Sequence, residues 1–267
     1  MNTLTTAPNG VDRRLARVLG DDGRALIVGY DHAVSAGTSG GYLGGLRQLA
    51  HASWRGGADG LQMGLHSAKT LDPEVHGSPT TGLVLRVDRS PVTDDPHERL
   101  EASAHWAGAE QVVRAGGDCA VVFLIYDVRA PRVVDLGAER TGALARECER
   151  LGLPLMVEVM AKAADVDDAA LSQIMIDGTR VAFELGADLV KIDRTPSRAA
   201  LADLVAAVPV PVLLRGGPPR NGPAATIADL EACLDAGMAG AVYGRTVWQD
   251  EDPEGITREL RSVIHGR

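Results

Sequence analysis

The sequence has few aromatic residues, few cysteines and few lysines, and each shortage narrows the reading. Phe, Trp and Tyr together make up 3% of the 267 residues, so a core must be assembled from Val, Leu, Ile, Ala and Met. The three cysteines, Cys119, Cys148 and Cys233, are scattered and contain no Cys-x-x-Cys pair. That excludes a disulfide scaffold and fits free thiols in a reducing compartment. Cys119 opens an apolar run and reads as core packing. Excess positive charge is also missing. A formal net charge of −9 argues against a nucleic-acid binder, which needs a basic footprint, although local charge can still favour an anionic substrate. The longest apolar run, Ala120 to Tyr126, is far too short to span a bilayer. The opening MNTLTTAPNGVDRR lacks a charged-then-apolar signal pattern. We therefore expect a soluble cytoplasmic protein with no membrane or nucleic-acid partner. His32, His66 and His76 show no metal-ligand spacing, so neither a metal site nor a cofactor is expected.

What is present is a repeat of short apolar runs and longer helical stretches. The runs are Ala25–Tyr30, Gly60–Met63, Leu83–Val87, Ala120–Tyr126, Leu155–Met160, Leu189–Ile192, Val212–Leu214 and Gly240–Tyr243. Several are continuously apolar, as strands buried on both faces are. Helical periodicity is clearest in Leu100–Arg114, Leu136–Leu151 and Leu171–Leu185. Glycine-bearing punctuation such as Leu185-Gly186-Ala187-Asp188 precedes the strands, consistent with left-handed helix C-caps. Eight βα units in this length predict an α/β fold, a single (β/α)8 TIM barrel over residues 23–267, with residues 1–22 as an N-terminal arm. A doubly wound open sheet is the competing arrangement.

Barrel chemistry sits at the C-terminal strand ends. Of the 27 Lys and Arg residues only three are lysine, namely Lys69, Lys162 and Lys191. Lys191 lies inside the apolar run Ala187-Asp188-Leu189-Val190-Lys191-Ile192. Arg cannot replace Lys where a deprotonated amine is needed, and burial can lower a lysine pKa from its ordinary value of about 10.4. Such an amine can serve as a Schiff-base nucleophile. The competing reading is a strand-end lysine paired to a carboxylate such as Glu158 or Asp193. Tyr126, Asp31 and Glu158 are expected to reach the same mouth, where each could transfer protons. The loops after the seventh and eighth strands, Arg215-Gly216-Gly217 and Gly244-Arg245, suit a phosphate: glycine lets backbone N–H groups approach an anion, and arginine supplies a fork of donors.

Together, Tyr30-Asp31-His32, Ile125-Tyr126, Pro154-Leu155-Met156-Val157-Glu158, Glu184 to Lys191, Gly216-Gly217-Pro218 and Gly244-Arg245-Thr246-Val247-Trp248-Gln249 resemble the archaeal-type class I fructose-bisphosphate aldolases. The resemblance extends to the 2-amino-3,7-dideoxy-D-threo-hept-6-ulosonate synthases and the phosphorylated-diketone thiolases. It implies Lys191 as the Schiff-base lysine, Tyr126 as the proton-transfer residue and Asp31 as its partner. It further implies Gly216, Gly217, Gly244 and Arg245 as the phosphate site, and a homo-oligomer of rings or paired rings. This chain departs from the family pattern at Ala33, at Asp127-Val128-Arg129, at Ile192-Asp193-Arg194-Thr195 and at Arg215. The added pair Arg194 and Arg215 suits a carboxylate or second phosphate on a different acceptor. The function expected is a class I aldolase making or cleaving a carbon–carbon bond in a phosphorylated ketose-type substrate, with dihydroxyacetone phosphate as a candidate donor. The rivals are thiolase-type acyl transfer on a phosphorylated diketone and a non-catalytic phosphosugar-binding barrel.

Overall fold

The computed structural model describes residues 9–36, 45–89, 104–161, 166–217 and 222–266. Eight parallel strands close a barrel in chain order: β1 Ala25–Gly29, β2 Gly60–Gly64, β3 Gly82–Arg86, β4 Cys119–Tyr126, β5 Leu155–Ala161, β6 Leu189–Ile192, β7 Val212–Arg215 and β8 Gly240–Tyr243. Strand β8 returns to β1 through the register Ala25↔Gly240. All eight expected strands are therefore present, each with its helical crossover, and the open-sheet alternative falls. Among the described residues no helix is long and apolar enough to cross a membrane.

The helices form where the sequence supplies starts and stops. After β4, α7 (Pro131–Leu151) opens on a proline that has no N–H to lose and closes on Gly152 at φ 58°. After β5, α8 (Asp168–Glu184) is capped by the Asp167 carboxylate, which accepts from Ala170 N–H at 2.8 Å. One helical expectation needs correcting. Of Leu100–Arg114, residues 100–103 lie outside the described residues, and only Ala109–Arg114 is helix (α6). Ala104–His105 pairs antiparallel with Asp88–Arg89, and this ribbon takes up the backbone groups that a helix would have used.

Strand parity divides the core in two. Leu26, Val28, Leu83, Leu85, Val122, Leu124, Val157, Val159, Val190 and Ile192 pack outward under the helices. Ala25, Ile27, Val84, Cys119, Val121, Met156, Leu189, Leu213 and Val242 fill the barrel axis from below. The N-terminal segment completes that inner column. Val18 is fully buried within it, and a Cβ on Gly82 would lie 2.6 Å from Arg17 O and 2.8 Å from Val18 Cγ2. Arg17 holds the segment in place through its Nε, 2.6 Å from Asp118 Oδ1. Val18→Ala should leave a small void in the barrel floor and lower stability by about 1–3 kcal/mol. A reduced urea midpoint with an unchanged slope would register this; an unchanged midpoint would mean the floor packs without Val18.

Candidate active site

The same parity that makes the floor apolar makes the mouth polar. Counting two residues up from Leu189, Met156, Val84, Gly60 and Leu213 reaches Lys191, Glu158, Arg86, Gln62 and Arg215, which all point inward at the C-terminal end. Asp31 joins them just beyond β1. Glu158 and Lys191 are direct register partners on β5 and β6, so their side chains emerge side by side.

These side chains close a ring of hydrogen bonds. The Lys191 ammonium donates to Glu158 Oε2 at 2.9 Å and to Gln62 Oε1 at 3.3 Å. Gln62 Nε2 donates to Asp31 Oδ2 at 2.7 Å. The same Asp31 oxygen accepts from Arg86 Nε at 2.6 Å. Arg86 Nη2 then donates to Glu158 Oε2, the oxygen that also receives Lys191. Outside the ring, Arg86 Nη1 reaches Asp88 Oδ1 at 3.1 Å, and Arg215 Nε lies 3.7 Å from Glu158 Oε1. Among the described residues no group of three or more His, Cys, Asp and Glu side chains is arranged to hold a metal ion.

Burial sets the protonation of the ring. Lys191 is 6% exposed; desolvation lowers its pKa below the ordinary lysine value, against the attraction of Glu158 and Asp31, and with help from the Arg86 cation. Both sequence readings of Lys191 thus describe part of the site: the lysine is paired to Glu158, and its charged form is nonetheless disfavoured. Burial alone would raise the two carboxyls. For Asp31, Arg86 and Lys191 outweigh it; for Glu158, Lys191, Arg86 and Arg215 do, so both titrate below the usual carboxylate range.

Asp31, Glu158 and Lys191 meet as expected, but Tyr126 does not join them. Even-numbered residues of β4 face outward, and Tyr126 follows that set. Its Cβ and Cγ lie 3.2 and 3.1 Å from where a Cβ on Gly178 of α8 would stand, beside Val159. Burial, and then Asp177 on the same helix, raise its hydroxyl pKa. The expectation that Tyr126 shares the mouth is therefore corrected, and the reason is the two-residue period of the strand. Arg194 also lies apart, its Nε 3.0 Å from Asp229 Oδ1 on α10 (Pro223–Asp235). Arg215 turns inward to Glu158 and, through Nη1, to Asp193 Oδ2 at 3.3 Å. Lys69 caps the short helix α4 (Leu65–Ala68) and is exposed; Lys162 and Pro218 lie outside the described residues. Gln62 and Arg86 end their apolar runs as polar side chains and so stand among the candidate strand ends of the sequence, but neither was assigned a role in the site from sequence.

The glycine loops flank this ring. Gly217 has φ 64° with open space where a side chain would point. A Cβ on Gly216 would lie 2.2 Å from the Tyr243 ring, and one on Gly244 would lie 2.5 Å from His32 Cε1. Both loops therefore hug their neighbours with bare backbone. Among the described residues, Arg245 Nε and His32 Nδ1 are buried without a hydrogen-bond partner. The His32 ring meets Trp248 edge-on, with centroids 5.5 Å apart.

A family model described as DeoC/LacD family aldolase matches residues 25–250. The chain is 27% identical over 260 residues to an uncharacterized aldolase of Saccharolobus solfataricus, covering 96% of this chain and 94% of that one. It is 30% identical over 248 residues to the 2-amino-4,5-dihydroxy-6-oxo-7-(phosphonooxy)heptanoate synthase of Streptomyces griseus, covering 92% of this chain and 86% of the synthase. Among solved structures, an archaeal fructose 1,6-bisphosphate aldolase shares the fold with a TM-score of 0.79 at 23% identity, over 95% of this chain and 98% of that one. An archaeal aldolase with its catalytic Lys covalently bound to the carbinolamine intermediate of the substrate gives a TM-score of 0.79 at 22% identity, over 94% and 98% of the two chains.

Proposed function

The chain belongs to the DeoC/LacD family of aldolases, and from that membership we propose a class I mechanism in which Lys191 forms a Schiff base with a phosphorylated ketone. The observation that carries this reading is the buried amine held in a hydrogen-bonded ring with its charged form disfavoured. The free amine attacks the ketone carbon, forming a C–N bond while the carbonyl oxygen takes up a proton. Loss of water leaves an iminium. A base removes the proton from the hydroxyl beyond the scissile bond, the carbon–carbon bond breaks, and its electron pair passes into the iminium as an enamine. The aldehyde departs, a proton is added to the enamine carbon, and hydrolysis returns the amine; synthesis runs these steps backwards.

Glu158, 2.9 Å from the amine, is the group suited to carry protons to and from the carbinolamine. Asp31 is the second base. Since Tyr126 stands outside the barrel wall, these two carboxylates take the role that the family resemblance implied for it. Bare backbone at Gly216, Gly217 and Gly244, together with Arg245, supports a phosphate grip. The synthase relative's name describes a ketone beside a phosphorylated terminal carbon, and a donor of that arrangement fits the same reading. Assembly as a cytoplasmic homo-oligomer belongs to it as well; Trp106, Val128, Leu151 and Val166 are exposed apolar side chains that another copy could cover.

The decisive experiment is borohydride trapping with dihydroxyacetone phosphate followed by peptide mapping, beside Lys191→Arg. A stable adduct on the Lys191 peptide, missing from the variant, supports the mechanism. No adduct with that ketone or with a panel of ketoses and diketones would overturn it, and product formation only in the presence of coenzyme A would redirect it to acyl transfer. Arg245→Ala should raise KM for the phosphorylated ketone by about 10–100-fold, the worth of one charged hydrogen bond, with kcat within a few-fold. A fall in kcat at unchanged KM would remove Arg245 from the phosphate grip.

A further inference from the structure

We propose that Arg86 is a positioning residue for the amine: it clamps Glu158, Asp31 and Asp88 into one fixed-charge unit that delivers Lys191 unprotonated, without itself touching substrate. The inference rests on Lys191 being the reacting amine.

Arg86 is only 1% exposed and is among the largest fully buried side chains of the molecule. Its three guanidinium nitrogens serve three different carboxylates, an arrangement that a compact lysine ammonium could not reproduce. The guanidinium plane is fixed from two sides. Its Cζ lies 3.8 Å from the Phe123 ring centroid. Asp88, which it also binds, accepts from Phe123 N–H at 2.8 Å, so the clamp is anchored to the backbone of β4.

The clamp acts on Lys191 through shared atoms. Glu158 Oε2 accepts from both Arg86 and Lys191. Asp31 Oδ2 accepts from both Arg86 and Gln62, and Gln62 Oε1 accepts from Lys191. One guanidinium thus holds both partners of the amine, Glu158 directly and Gln62 through Asp31. Among the described residues, the charged and titratable groups facing the amine are Asp31 and His32 beyond β1, Arg86 on β3, Glu158 on β5 and, behind Glu158, Arg215 on β7. Strands β4 and β8 present apolar Phe123, Ile125 and Val242. Taking Arg86 away would leave two buried carboxylates, Asp31 and Glu158, drawing on Lys191, and the amine would keep its proton to higher pH. Asp88 works in the opposite sense. It offsets the Arg86 charge without touching the amine, so removing its charge should release the lysine proton earlier.

The test uses acetylacetone, a small 1,3-diketone that condenses with an unprotonated lysine, losing one water to give an absorbing enaminone. No phosphorylated substrate is needed, and the labelled peptide identifies the lysine. In Arg86→Gln the rise of the Lys191 labelling rate with pH should shift about one to two pH units upward. In Asp88→Asn it should shift downward. Arg86→Lys should retain part of the parent behaviour by supplying one charge. Should Arg86→Gln fail to fold, the direction of the Asp88→Asn shift decides. Folded variants with an unmoved profile overturn the proposal, as does a parent enzyme whose Lys191 is not labelled at all. Borohydride trapping of dihydroxyacetone phosphate reports separately. If the parent traps the ketone but its variants show no shift, the Arg86 inference falls alone. If the variants shift while no ketone is trapped, the substrate reading falls and the clamp stands.

Discussion

Lys191→Met is expected to abolish carbon–carbon bond turnover, a loss of about ten-thousand-fold or more, while leaving a folded barrel. The loss is large because, among the described residues, no other amine reaches the mouth: its other cations there, Arg86, Arg215 and Arg245, are guanidiniums that stay charged. The stability of the variant follows from what remains around Glu158. Removing one partner of a buried ion pair usually costs about 3–5 kcal/mol, but Glu158 keeps Arg86 and Arg215, and the variant no longer desolvates a lysine. We expect the two proteins to lie within about 2 kcal/mol of each other at neutral pH. Their pH dependence should differ. The folded amine has a lowered pKa, so between that value and the unfolded one of about 10.4 the unfolded chain binds more protons and stability rises with pH. The variant lacks this rise. Urea melts at neutral and alkaline pH test the stability claim, and turnover at one tenth of the parent rate would remove Lys191 from the mechanism.

Glu158→Gln should separate forming the Schiff base from using it. The amide keeps the shape and an acceptor for Lys191, but it cannot shuttle a proton. Turnover should fall by about 10²–10⁴-fold while the borohydride adduct still forms. Equal loss of both would mean that Glu158 serves only to seat the amine. The variant should also be less stable at neutral pH by about 2–4 kcal/mol, because Arg86, Lys191 and Arg215 lose a shared anion. The Glu158 pKa is depressed in the fold, so its contribution is fully present above the unfolded value of about 4.3 and is lost as pH falls through the folded value. The stability gap between parent and variant should accordingly narrow only in that acid range.

The barrel was legible because each strand is a short apolar run and most have glycine just before them, a signal that survives without any knowledge of neighbours. Lys191 and Glu158 were legible for the same reason, as charges where the run should be apolar. Strand parity, applied strictly, would also have singled out Arg86 and Gln62 from the other polar strand ends, since they continue the inward series of Val84 and Gly60, and would have turned Tyr126 outward with Leu124. The direction of Arg215 was beyond that arithmetic. Whether its guanidinium reaches a phosphate or Glu158 depends on how β5, β6 and β7 are staggered, which a single strand does not encode. The ribbon at Ala104–His105 was hidden for a related reason: its partner, Asp88–Arg89, is too short to register as a strand by itself.

The buried Val18 floor has a kinetic consequence. With the barrel axis filled from below, Lys191 is approached from the C-terminal side of the strands. A ketone bonded to that amine lies next to the apolar floor, so the aldehyde meets it from above, and a cleaved aldehyde leaves before the enamine-bound fragment. Initial-rate patterns should therefore show compulsory order, with the ketone first on and last off, and with the aldehyde acting as a dead-end inhibitor when it occupies the site ahead of its partner.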